Sequence, residues 1–239
     1  MRVLIVHAHH EPTSFNTALL TTARETLMAA GHELRVSDLH AMGFQPVSDR
    51  RNFKTVADAR RLDQQAEERL AAASDGFADD IAAEIEKLLW CDHLIFQFPI
   101  WWLGLPAILK GWVDRVFALG VAYGGGRWFD GGALAGRRAM LSVTVGGTED
   151  VYSEIGVYGP LEDILLPIHR GILGFTGFQV IEPFAVYGPG RMDAAARAGV
   201  LAAYREKLLT LDRAAVLPMP KVADYERLVL KPGLRPAAP

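Results

Sequence analysis

Cysteine is nearly absent. Cys91 stands alone among 239 residues, which rules out an intrachain disulfide and suits a reducing compartment. It follows Trp90 beside an apolar run and reads as a buried, inert thiol. Excess charge is also scarce: 25 Lys and Arg against 28 Asp and Glu give a net charge of −3. Such a balance offers no basic face for nucleic acid or an anionic membrane surface. No apolar run is long enough to cross a bilayer. Leu94 to Leu109 carries Gln97 as its only polar side chain, yet as helix it would rise only roughly 24 Å against a hydrocarbon core of about 30 Å. Pro99 and Pro106 interrupt it as well. No signal peptide is visible, so a cytoplasmic protein is expected. The chain also lacks a G-x-G-x-x-G fingerprint and a P-loop, which excludes the Rossmann and Walker modes of nucleotide binding. His7, His9 and His10 crowd together, but no carboxylate or further histidine is placed to complete a shell, so no metal is expected.

What is present is a regular alternation. Half the residues are hydrophobic, enough for a sizeable core. Arg2 to Ala8 is apolar and β-branched and reads as a strand; Asn16 to Ala30 follows as a helix stopped by Gly31, and His32 to Asp38 is a second strand. The stretch 41–74 is polar, with a helix expected over Val56 to Ala73 and the role of a lid, a subunit contact or a solvated excursion. Asp79 to Leu89 reads as helix, His93 to Phe98 as a buried strand, Ala107 to Leu119 as helix and Arg138 to Thr144 as the fourth strand. Leu161 to Leu173 is expected as a helix interrupted by Pro167, Phe178 to Ala185 as the fifth strand and Asp193 to Leu211 as a closing helix. Residues 1–212 are expected to form one domain and 213–239 an irregular, proline-containing tail with prolines up to Pro239. Five strands alternating with helices predict an α/β fold with a doubly wound, flavodoxin-like parallel sheet in the order 2-1-3-4-5.

In such a sheet, ligands bind beyond the carboxyl ends of the strands where the strand order reverses. Three loops meet there: His9 to Asn16, Pro99 to Gly104, and Thr144 to Tyr152. The first opens a helix near Ser14 and Asn16, whose free N–H groups suit a phosphate unless Ser14 or Asn16 merely caps the helix. The second places Trp101 and Trp102 between a buried strand and a buried helix, which points to a flat ligand such as a flavin or quinone; packing in the core is the plainer alternative. The third offers backbone N–H groups at Val145, Gly146 and Gly147, suited to the oxygens of a flavin pyrimidine, with Tyr152 and Tyr158 nearby.

Ala8 to Asn16, Phe96 to Val113, Leu141 to Gly147 and Gly177 to Val180 together resemble the FAD-dependent NAD(P)H:quinone oxidoreductases, the DT-diaphorase family, over Arg2 to Leu211. The resemblance implies that His9, Ser14, Phe15 and Asn16 hold the pyrophosphate and nearby parts of FAD. Pro99, Ile100, Trp101, Trp102, Leu103, Thr144, Val145, Gly146 and Gly147 would surround the isoalloxazine ring, and Arg197 would lie near the adenine. FAD is implied ahead of FMN, with NADH or NADPH as hydride donor. Tyr152 and Tyr158 would be the catalytic pair, Trp102 and Leu103 one wall of the substrate pocket, and Tyr123 and Phe175 aromatics lent by the second subunit of a homodimer. Tyr158 stands where the family carries histidine, Leu103 replaces a phenylalanine, Gly125 a second pocket tyrosine and Val145 a threonine. The tail after Leu211 has no clear counterpart.

The implied activity is two-electron reduction of quinones by a ping-pong hydride transfer. Reduction of azo or nitroaromatic compounds in the same pocket is the rival enzyme reading, separable by rates on purified substrates. A flavin-bearing ancillary subunit of a membrane transporter would bind flavin with little turnover. A flavodoxin-type one-electron carrier would be shorter and more acidic.

Overall fold

The computed structural model of the chain describes residues 1–236; the end of the expected tail, Pro239 included, lies outside the described residues. Strand β1 (Arg2–His7) is buried from Val3 onward. It alternates: Val3 and Ile5 pack with Leu19 and Leu27 on one face of the sheet, while Leu4 and Val6 pack with Ile81, Phe96 and Trp112 on the other. Side chains of successive strand residues point to opposite faces, so a strand apolar at every position demands a layer of helices on both sides. Helices α1 (Phe15–Ala29) and α6 (Ala194–Leu208) supply one layer. The other is built by α3 (Asp79–Trp90), α4 (Ala107–Val116) and α5 (Leu161–Ile168).

The remaining strands of the sheet are β2 (Glu33–Asp38), β3 (His93–Pro99), β4 (Arg138–Val145), β5 (Gln179–Val180) and β6 (Phe184–Tyr187). All pair in parallel in the order β2-β1-β3-β4-β5, with β6 also on β4. The flavodoxin-like order is therefore as expected, but the single fifth strand is not. Ala139 faces Val180 and Ser142 faces Phe184, so the outer strand carries one residue more than β4 over the same span. Pro183, which has no N–H for the ladder, falls in that bulge and divides the strand. Pro99 is the last residue of β3 and sits opposite Thr144.

Two helices also differ from expectation. The helix foreseen over Val56 to Ala73 begins only at Gln64, as α2 (Gln64–Ser74), with the Asp63 carboxylate capping it through the Ala66 N–H at 3.1 Å. The reason lies in two buried carboxylates. Glu67 accepts the Ala57 N–H at 2.8 Å and pairs with Arg50 at 3.3 Å; Glu68 accepts the Leu119 N–H at 2.6 Å. The segment before α2 is thus wrapped over Glu67 and kept out of the helix. Pro167 does not break α5, which runs through it and widens into a π-helical turn over His169–Gly174. The tail packs its start against the sheet through Leu217 N–H to Val180 O (2.8 Å) and forms a small hairpin, β7 (Tyr225–Glu226) with β8 (Val229–Leu230).

A buried polar centre ties β2, α3 and α4 together. The Glu84 carboxylate accepts from Ser37 Oγ (2.6 Å), Trp112 Nε1 (2.7 Å) and Lys87 Nζ (2.5 Å). Both carboxylate oxygens thus have donors, which is what permits a carboxylate in an apolar layer.

Candidate active site

The loops after β1, β3 and β4 meet at the carboxyl edge of the sheet. Their starts are fixed by the ladder: Ala8 N–H donates to Gln97 O at 3.0 Å and Ile100 N–H to Thr144 O at 2.9 Å. Beneath them, Asn16 Nδ2 donates to Thr144 Oγ1 and Gln97 Nε2 to Asn16 O, both at 2.8 Å and buried. The Oδ1 of Asn16 and the Oε1 of Gln97 find no partner among the described residues. Buried acceptors left open are costly unless a ligand or water donates to them. Gln97 escaped the sequence reading; its signal was its being the one polar side chain in an apolar run.

Ser14 caps α1, its Oγ accepting the Thr17 N–H at 3.1 Å. The plainer sequence reading of Ser14 therefore holds for its hydroxyl, while the N–H groups of Phe15 and Asn16 make no hydrogen bond among the described residues. They lie at the positive end of the helix, where an anion is favoured. Arg197 lies over the Phe15 ring at 5.9 Å and donates to Pro189 O at 3.0 Å.

The imidazoles beside this turn gather into one cluster. His9 stacks on His10 with ring centres 4.9 Å apart, and His10 meets His40 edge-on at 5.8 Å. Trp101 leans against His9 at 6.1 Å and His10 at 5.7 Å. His9 Nδ1 accepts the Glu11 N–H at 3.0 Å. Burial, then the neighbouring His10, lowers the His9 pKa; burial and His10 likewise lower that of His40. His7 lies beneath, almost wholly buried, its pKa pushed down to about 4 mainly by burial. No group of three or more metal-binding side chains is formed among the described residues.

After β3 the chain turns through Trp101 to Gly104, closed by Trp101 N–H to Gly104 O (3.2 Å) and Gly104 N–H to Trp101 O (3.1 Å). Its central residues, Trp102 and Leu103, have φ of 52° and 54°. A two-residue turn with both φ positive prefers Asn-Gly; a bulky pair held there is strained. The result is that Trp102 projects with its side chain fully exposed, and Leu103 half-exposed. The core reading of the two tryptophans does not hold: Trp101 is 40% exposed and Trp102 more so.

After β4 the backbone runs close to Tyr152. A side chain at Gly147 would collide with Val151 and Tyr152, whereas one at Gly146 would meet nothing within 4 Å. Gly146 thus borders open space. Its carbonyl is held by Arg191 at 2.8 Å. Val145 is buried and its carbonyl accepts the Gly188 N–H at 2.8 Å. Tyr152 is nearly buried, 5.2 Å from the half-exposed Tyr158 and 6.1 Å from Tyr187 between ring centres. Burial first and Tyr158 second raise the Tyr152 pKa, so its hydroxyl keeps its proton across the neutral range.

Tyr123 and Phe175 lie elsewhere. They pair with each other at 6.3 Å, and Phe175 with Phe129 at 6.0 Å. Among the described residues no aromatic pair joins them to Trp102, Tyr152 or Tyr158. Tyr152, Tyr158 and Tyr187 thus form one aromatic group, and Tyr123, Phe175 and Phe129 another.

Against known proteins, the model of the flavodoxin-like fold matches residues 1–208. The chain is 43% identical to NAD(P)H dehydrogenase [quinone] 1 of Cavia porcellus over 208 residues, covering 87% of this chain and 76% of that protein. It is 45% identical to a ribosyldihydronicotinamide dehydrogenase-like protein of Penicillium crustosum, covering 78% and 73% of the two chains. Among solved structures, a Klebsiella pneumoniae protein assigned as a quinone reductase superimposes with a TM-score of 0.95 at 41% identity, over 100% of this chain and 97% of the other. Fold, strand order and these similarities over most of the length lead to one conclusion: the chain belongs to the NAD(P)H:quinone oxidoreductase family, NAD(P)H dehydrogenases of the flavodoxin-like fold.

Proposed function

We propose that this protein binds FAD at the carboxyl edge of the sheet, takes hydride from NADH or NADPH, and passes two electrons to a quinone in alternating half-reactions. The observation that carries the reading is the meeting of three unlike features. The start of α1 leaves N–H groups open to an anion, and the nearby Asn16 Oδ1 and Gln97 Oε1 lack donors. A tryptophan-bearing turn and the Gly146 backbone border open space, with the proton-bearing Tyr152 behind. The names of the relatives support a nicotinamide donor and a quinone acceptor. No helix is long and apolar enough to cross a membrane among the described residues, and a cytoplasmic enzyme is the setting proposed.

The donor set fits a flavin dinucleotide. His9, the first-turn N–H groups of Phe15 and Asn16, and the capped start of α1 would hold the pyrophosphate. Arg197 on Phe15 offers a planar cation for the adenine, which favours FAD over FMN. Pro99 to Leu103 and Thr144 to Gly147 would border the ring system. When bound, the flavin supplies hydride acceptance and release. The chain's own residues do the rest. Tyr152 holds a proton at its hydroxyl and can donate it as a hydrogen bond toward the pyrimidine edge, where negative charge is costly if left unpaired. Tyr158 flanks it and can donate but carries no positive charge. Trp102 and Leu103 form one wall for a flat acceptor. Tyr123 and Phe175, which form a separate aromatic group, are proposed to complete the pocket of a second copy in a homodimer.

Initial rates over a grid of NADH and a soluble benzoquinone test the reaction order. Parallel double-reciprocal lines are expected, since donor and acceptor take turns in one pocket; intersecting lines would mean both bind together. Sedimentation of the active enzyme tests the dimer, and a fully active monomer at micromolar concentration would refute it.

A further inference from the structure

We propose that His10 and His40 extend the contact made by His9 into a three-imidazole anchor that binds the cofactor's pyrophosphate by taking up protons. This rests on the flavin reading above.

The geometry comes from two strand ends. His9 and His10 follow β1, and His40 follows β2, the neighbour that pairs with β1 through His7 and Asp38. The pairing brings His40 against His10 at 5.8 Å, and His10 lies flat on His9 at 4.9 Å. Trp101 covers the pair from the β3 side. His9 and His10 are carried on the same short loop that opens α1, with the N–H groups of Phe15 and Asn16 at its far end.

His10 lies against both His9 and His40 and disfavours a positive charge on either. With no anion present, the neutral forms are favoured at His9 and His40, because burial and the facing histidines both penalise the cation. The charged groups that face them are few. Asp38 faces His40 and His7, and Glu11 faces His9. The Glu11 carboxylate is already engaged by the Thr13 N–H (2.8 Å) and hydroxyl (2.7 Å). Trp101 brings no charge, and His7 beneath stays neutral. A pyrophosphate placed against the cluster reverses the balance: an anion within hydrogen-bonding reach favours the imidazolium. His9 and His40 then hold a proton at higher pH with the anion bound than without it. Binding takes up protons between those two points, strengthens as pH falls through the bound value, and levels off below the free value. A rise of one unit at one histidine is worth about tenfold in affinity at its limit.

The test is calorimetry of FAD binding to the flavin-depleted protein from pH 5.5 to 8.5, in buffers of different ionisation enthalpy. The expected results are uptake of roughly half to one proton per FAD near pH 6.5, and a dissociation constant lower by about tenfold at pH 6 than at pH 8. Riboflavin, which has no phosphate, should bind without uptake. His10→Gln with His40→Gln, both at exposed positions, should abolish most of the uptake and flatten the FAD dissociation constant to within about twofold between pH 6 and pH 8. Absent uptake in the parent, equal uptake with riboflavin, or unchanged uptake in the double variant would each overturn the proposal. Failure to bind FAD at any pH would instead bring down the flavin reading, and this inference with it.

Discussion

The turn at Trp102 and Leu103 makes a prediction that separates backbone strain from side-chain function. Trp102 has φ of 52° and its side chain buries nothing in the chain. Replacing it therefore loses no core contact. An L-residue with a Cβ in the left-handed region costs about 1–2 kcal/mol, a cost glycine avoids. Glycine in turn loses about 0.5–1 kcal/mol more backbone entropy on folding than alanine. Trp102→Gly should therefore be more stable than Trp102→Ala by about 0.5–1 kcal/mol, a difference of roughly 1–4 °C in Tm for a chain of this size. Both variants remove the same indole, so any ligand or partner contact is lost equally and cancels in the comparison. Both should lose turnover with nicotinamide and quinone alike, since a stacking aromatic contributes about 0.5–1.5 kcal/mol beyond its buried area. Urea and thermal unfolding of the two variants decide the first point, and steady-state kinetics the second. If alanine is as stable as glycine, the turn stores no strain. If kinetics are unchanged in both, Trp102 is no part of the pocket.

Tyr152→Phe should slow reduction by NADH roughly ten- to a hundredfold in stopped flow, because a hydrogen bond to charge is worth about 1.5–3 kcal/mol. Tyr158→Phe should do less, and Tyr158→His should add a pH dependence between about 6 and 8; the reverse ranking of the two phenylalanine variants would exchange their roles. Glu84→Ala should destabilise the fold by about 3 kcal/mol in urea, since Lys87, Ser37 and Trp112 lose a buried partner together; a loss below 1 kcal/mol would mean that the site relaxes freely. Burial pushes the His169 pKa down to about 4, so the unfolded chain binds its proton first and stability falls as pH drops from 6.5 toward 4. This amounts to about 2 kcal/mol at pH 5. His169→Gln should remove that part of the slope between pH 7.5 and 5, and an unaltered slope would place the titrating groups elsewhere.

What was legible in the sequence was local or periodic. The apolar strands Val3 to Val6 and Leu94 to Phe98, the latter broken only by Gln97, require helices on both faces, and that points to the doubly wound sheet. The helix start at Ser14 and the glycines after β4 marked two of the three site loops. Three things were not legible. The late start of α2 depends on Glu67 and Glu68 being buried against Ala57 and Leu119, contacts that only the folded chain makes. The positive φ of Trp102 and Leu103 contradicts their residue types, so local preference pointed the wrong way; this is where a site stores strain. The meeting of His10 with His40 follows from the register of β1 on β2, and alternation within either strand alone does not show it.

The central claim is most directly tested by an absorbance spectrum. The purified protein, supplied with FAD and freed of excess, is titrated with NADH or NADPH under argon and then with a quinone. The account predicts bound flavin whose visible bands bleach with the nicotinamide and return in full with one equivalent of quinone. A colourless protein that retains no flavin, or bound flavin that neither nicotinamide bleaches, would contradict it.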